Sequence, residues 1–189
     1  MNFALAALII AYLEIPFGVL GGIMLVDMIR SERARLHDLD FEKKEIVSDD
    51  AHMKVTTSGH WVKRTDLNKE ASLEGSYKDK EMYVIIITDP KSTVKSMTLE
   101  QHHQLTRDHM LEKMQNTSAT QPISVTIDNH RGLQDEISGT RDGTNLTFLH
   151  TTLDAGDQFA QILAWTSKSR WAANKSELAD IANSFHSEQ

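Results

Sequence analysis

The chain has 189 residues, 20 of them basic and 27 acidic, for a net charge of −7, and it has no cysteine. That acidic balance, with no clustered basic stripe, argues against a nucleic-acid partner, whose phosphates must be neutralised. The missing cysteine excludes disulfides, thiolate metal sites, a cysteine nucleophile and a lipid-modified N-terminal cysteine.

Residues 3–28 are almost wholly apolar, a run of about 24 residues, long enough to cross a hydrocarbon core about 30 Å thick. No Lys or Arg precedes the run, it is longer than a signal-peptide core, and no small-x-small cleavage site follows it. A retained transmembrane helix in contact with the bilayer is therefore expected over 1–30 in preference to a signal peptide. Arg30, Arg33 and Arg35 follow directly, with Lys43 and Lys44 further on, although Asp27 and Glu32 lie among them. The positive-inside bias places the soluble domain on the cytoplasmic side; an extracytoplasmic domain is the alternative. Inside the run Glu14 is costly in hydrocarbon unless neutral or paired, and Pro16 removes a helix hydrogen bond. Gly18 and Gly22 form a G-x-x-x-G that fits a homodimer. Residues 31–50 mix charges of both signs with sparse apolar residues and read as a solvated linker.

The folded domain is expected over 51–189. Strands are expected at 53–57, 72–77 and 81–88; the last is a β-branched apolar run ended by Asp89-Pro90, as in a strand buried on both faces. Thr98 and Gln101 have capping-box spacing and start a helix, whose apolar stripe is Leu99, His103, Met110, Leu111 and Met114. Strands at 123–127, 132–140, 145–153 and 158–166 form a meander, turned at Asp142-Gly143 and again near Gly156. Trp171, Leu178, Ile181 and Phe185 fall on one face of a closing helix, with Asn174 and Glu177 as an internal cap pair. Strands, a long helix, a meander and a closing helix describe an α+β sandwich.

Trp61, the strand at 83–89, the helix at 99–114, Asp142-Gly143, the segment 161–166 and Ser184-Phe185 together resemble the PsbP-like fold over about residues 51–185. That fold is shared by photosystem II extrinsic proteins, DcrB-like bacterial envelope proteins and a nuclear-import factor that binds Ran. The resemblance implies an antiparallel sheet with helices packed on both faces, an α/β/α sandwich, in domains that act mainly by binding other macromolecules. Many bacterial and plastid relatives lie outside the cytoplasm, a departure from the orientation that the arginines favour.

Candidate chemistry is sparse. His102 and His109 share a helix face but stand about 10.5 Å apart along the axis, and no i, i+4 histidine pair or H-E-x-x-H occurs. A solvated face for those two and a half-buried His103 are expected; His130 or His150 could complete a site, but no spacing favours either. Asp135 and Glu136 point to opposite faces of a strand and cannot act as a pair. There is no G-x-S-x-G, P-loop or G-x-G-x-x-G. Trp61, Trp165 and Trp171 read as core, the alternative being a rim around a partner groove. No catalytic, cofactor-binding or metal residue is expected. The expected function is a non-enzymatic, membrane-anchored binding or scaffold domain with a protein partner. The alternative is an accessory or sensory subunit working through Glu14.

Overall fold

The computed structural model describes residues 19–94 and 97–188, which divide into two units between Phe41 and Glu42. Glu14, Pro16 and Gly18 lie outside the described residues. In the first unit a single helix, α1 (Val19–Phe41), runs through the arginine-rich segment. Among the described residues no helix is long and apolar enough to cross a membrane; most of the apolar run at 3–28 lies outside them.

The second unit begins at Glu42, so the reading of 31–50 as one linker is corrected. Its first half is helical, and β1 (Lys43–Val47) is part of the domain, antiparallel to β2 (Met53–Ser58). The charges of β1 face water while Ile46, 1% exposed, enters the core. One buried residue among five was too little pattern to read.

β3 (Val62–Lys63), β4 (Leu73–Tyr77) and β5 (Met82–Pro90) lead to α2 (Leu99–Glu112). β6 (Gln115–Ala119), β7 (Ile123–Ile127), β8 (His130–Arg141), β9 (Thr144–Ala155) and β10 (Gln158–Ser167) follow, then α3 (Trp171–Asn183) and β11 (His186–Ser187). The large sheet has the order β3-β4-β5-β10-β9-β8-β6, with β7 also on β8, and the small sheet is β1-β2-β11. All pairings are antiparallel. β6 contains no large apolar residue and β11 only two residues, which is why neither was legible.

Alternate residues of the large sheet build two different faces. On one, Val84, Ile86, Leu149, Leu153 and Ile162 pack with Leu178, Ile181 and Phe185 and with Ile46 and Val55 of the small sheet. Trp61 is fully buried there, its Nε1 donating to Glu177 Oε1 at 3.1 Å. Glu177 also accepts from Lys80 Nζ at 2.8 Å, while the Asn174 amide donates to Lys80 O and Thr166 Oγ1. Both therefore tie α3 to the sheet and are not an internal cap; the helix starts after Arg170 without a side-chain cap.

The other face carries α2. Both hydrogen bonds of the expected capping box are present, Thr98 Oγ1 accepting from Gln101 N and Gln101 Oε1 from Thr98 N. The C-terminal end comes close to the sheet because Gly139 has no side chain: a Cβ there would lie 2.9 Å from Met114. Asp142 and Gly143 both have positive φ, 49° and 77°, the type I′ pattern of a two-residue hairpin. This turn sets Arg141 opposite Thr144, and so Asp135 opposite His150.

Candidate functional site

α2 packs mainly over β6, β8 and β9 and meets β5 and β10 at its N-terminal end, where His102 touches Asp89 and Phe159. Beside the helix lies a groove of about 860 Å³. Its floor is Ile85, Ile87, Phe148, Gln161, Leu163 and Trp165; one wall is α2, with Leu105, Thr106, Met110 and Lys113. The facing wall is the loop before β4, at Leu67, Asn68 and Glu70. That loop is pinned by the buried Glu74, whose carboxylate accepts from the backbone N–H of Leu67 at 2.8 Å and of Asn68 at 3.0 Å. Trp165 lies between Tyr83 and Phe148, ring centroids 5.2 and 5.6 Å away. Of the three tryptophans it is the one that meets the rim alternative: half-buried, on the groove floor, and not in the main core. Its lining is mostly apolar with a few polar groups, which makes it the candidate site of this face.

Beneath α2 the sheet is polar where a leucine layer would be ordinary. His103, Thr106 and Arg107, at i, i+3 and i+4, point down from one helix face. His150 and Asp135 stand opposite each other on β9 and β8. Asp135 Oδ1 lies 2.9 Å from His150 Nδ1 and 3.4 Å from His103 Nε2, and its Oδ2 lies 2.8 Å from Arg107 Nε. The outer ring nitrogens reach threonines: His150 Nε2 is 3.0 Å from Thr106 Oγ1 and His103 Nδ1 is 3.0 Å from Thr152 Oγ1. Burial opposes ionisation of Asp135, but the hydrogen bonds from His103 and His150 outweigh it and hold the carboxyl far below its ordinary range. Burial lowers the pKa of His150, and the bond to Asp135 restores only part of it. The protons follow from the network. An ionised Asp135 accepts from His150 Nδ1, while His103 Nε2 and Arg107 Nε stand beside it as close charge contacts.

His103, Asp135 and His150 bring their donor atoms within 4.8 Å of one another, a set chemically suited to a divalent ion. The geometry is that of a clamp on a carboxylate. The two imidazoles are stacked, centroids 4.4 Å apart and planes 17° apart, so their in-plane lone pairs run side by side. Arg107 Nε, 2.8 Å from Asp135 Oδ2, already supplies positive charge to the carboxylate. Thr106, His150 and Asp135 also have the hydroxyl–imidazole–carboxylate order of a nucleophilic triad. The Thr106 hydroxyl, however, sits within 3.2 Å of two carbonyls of its own helix, and the neighbouring N–H groups are consumed in that helix, leaving no donors for an oxyanion.

Two sequence expectations are corrected here. His103 is fully buried, and His102 does not face solvent: it too is 1% exposed, stacked on Phe159 with Nε2 2.9 Å from Asp89 Oδ2. Phe159 and Asp89 give its ring a surface and an acceptor, so the helix buries a wider stripe at its N-terminal end. His109 is exposed, as the spacing predicts. His130 lies apart from the network, beside Ser187. Glu136 faces away from Asp135 and accepts from Trp171 Nε1 and Lys175 Nζ, as strand alternation requires. Sequence reasoning missed the His103–Asp135–His150 cluster. The signal that could have found it was Asp142-Gly143, since a two-residue turn there fixes Asp135 opposite His150.

No protein-family model matches the sequence, and no curated protein matches it. Solved structures do match in fold. The cyanobacterial PsbP protein CyanoP from Synechocystis superposes with a TM-score of 0.57 at 11% identity, covering 77% of this chain and 92% of its own. The Ran-binding protein Mog1p from Saccharomyces cerevisiae gives 0.54 at 12%, over 77% and 95%. LpqN from Mycobacterium tuberculosis, involved in cell envelope biogenesis, gives 0.53 at 11%, over 76% and 89%. The chain therefore has the PsbP-like fold that its motifs implied.

Proposed function

We propose that this PsbP-like chain is a membrane-anchored, non-enzymatic binding domain that docks a protein partner in the groove beside α2. The observation that carries the reading is the groove itself: Ile85, Leu163 and the half-buried Trp165 line an apolar floor between α2 and the loop before β4, with Leu105 exposed on the wall. Apolar clefts with a few polar groups are where partners are recognised. The absence of catalytic motifs in the sequence and the likeness to Mog1p, a Ran-binding protein, support a protein partner. The apolar run at 3–28 supports the anchor, and the arginines after it support a cytoplasmic domain.

A photo-crosslinking residue at Leu105, 52% exposed on the groove wall, tests the docking site in cells. The expected result is a defined adduct from position 105 that is absent from position 175 on the other face and lost in Leu163→Asp. An adduct from 175 alone would move the partner elsewhere. Ser169→Cys, the chain's only thiol, tests orientation. Labelling by an impermeant maleimide only after lysis fits the cytoplasmic reading, and labelling of intact cells overturns it.

A further inference from the structure

Gln161 lies in the groove floor and is 7% exposed, yet its carboxamide has no hydrogen-bond partner among the described residues. Its neighbours offer none: Ile87 is apolar, and the Thr152 hydroxyl opposite is engaged with His103. Its polar atoms are not among the sealed, unpartnered ones of the described residues, so the amide opens onto the cleft, where a ligand can replace water. A carboxamide presents a donor and an acceptor side by side, a pair that a peptide bond matches in reverse.

The far end of the groove has a different chemistry. Counting along β10 from Gln161 to Ser167, which pairs with Leu146, the groove runs six residues, about 20 Å at the strand rise. There it is rimmed by Lys113 and Arg141. Lys113 has no ion-pair partner among the described residues, and Arg141 has only the exposed Asp142 at 3.8 Å.

We infer that the groove takes an extended apolar peptide of about six residues from the partner. A backbone amide of the peptide pairs with Gln161, and a carboxylate at its end meets Lys113 and Arg141. This rests on the reading of the groove as the protein-docking site and names what that partner presents.

The test is fluorescence anisotropy on the full chain with a fluorescein-labelled hexapeptide of alternating leucine and valine, as the free acid and as the C-terminal amide. The acid is expected to bind about tenfold tighter than the amide. Lys113→Glu with Arg141→Glu, both on the surface, removes that advantage, and 0.5 M salt narrows it. Gln161→Leu, nearly isosteric, weakens acid and amide alike by about tenfold. Equal binding of acid and amide, or a Gln161→Leu protein that binds as wild type, overturns the inference, as does binding of dodecanoate in place of either peptide. If neither peptide binds while the Leu105 adduct persists, the peptide chemistry falls and the docking site stands. If the adduct is lost as well, both fall.

Discussion

The two faces of the large sheet are made from alternate residues of the same strands, and they are held in opposite ways. On one face Leu149, Leu153 and Ile162 meet α3 and the small sheet in a dry aliphatic core, where position is set by volume and shape. On the other, α2 is seated by Asp135 and its partners His103, Arg107 and His150, where position is set by directional contacts. Beside that helix runs the groove floored by Ile85, Leu163 and Trp165. The two faces are thus held by different chemistry, shape on one and a charged cluster on the other.

The sharpest way to break this contrast is Asp135→Asn. It leaves the largely buried Arg107 without its counter-charge, and unfolding in urea is expected to show a loss of about 3–5 kcal/mol. Adding Arg107→Leu should restore much of it; no restoration would mean that the polar cluster does not seat α2. On the aliphatic face Leu178→Ala, at a fully buried position, should cost about 2–5 kcal/mol, without altering the groove adduct from Leu105. Acid separates the faces further. His150 is held below its ordinary pKa, so below about pH 6.5 the unfolded chain binds a proton that the folded chain refuses. Stability should fall as pH drops through that value, and the contribution of Asp135 should be lost only below about pH 3.9. Urea midpoints between pH 8 and 5 in wild type and His150→Gln test this: the slope should flatten in the variant. Thr98→Ala, removing one arm of the cap, should cost about 1 kcal/mol. Leu105→Ala on the exposed groove wall should stay within about 0.5 kcal/mol.

Legibility followed the same division. Face-one strands announce themselves by β-branched runs, and β5, β7, β8, β9 and β10 fell where alternation and the Asp142-Gly143 turn put them. β1 was hidden because Lys43, Lys44 and Glu45 mask a single inward Ile46. The polar cluster was hidden for a different reason. His103 and His150 lie 47 positions apart in the chain, and a histidine on an apolar stripe carries no mark of whether a carboxylate awaits it. Strand alternation did separate Asp135 from Glu136, but helix spacing alone left His102 in water because it could not see Phe159 beneath it.

The strand order has a consequence for how the domain is made. β3, β4 and β5 form one panel, and β6 to β9 another; among the described residues β10 is the only strand bonded to both. During synthesis the residues of both panels precede their joint in the chain, so β5 and β9 lack their shared partner until β10 is made. Open edges of that kind invite pairing with other chains. Residues 158–167 are therefore the joint of the large sheet: a chain that lacks them has no strand to bridge β5 and β9.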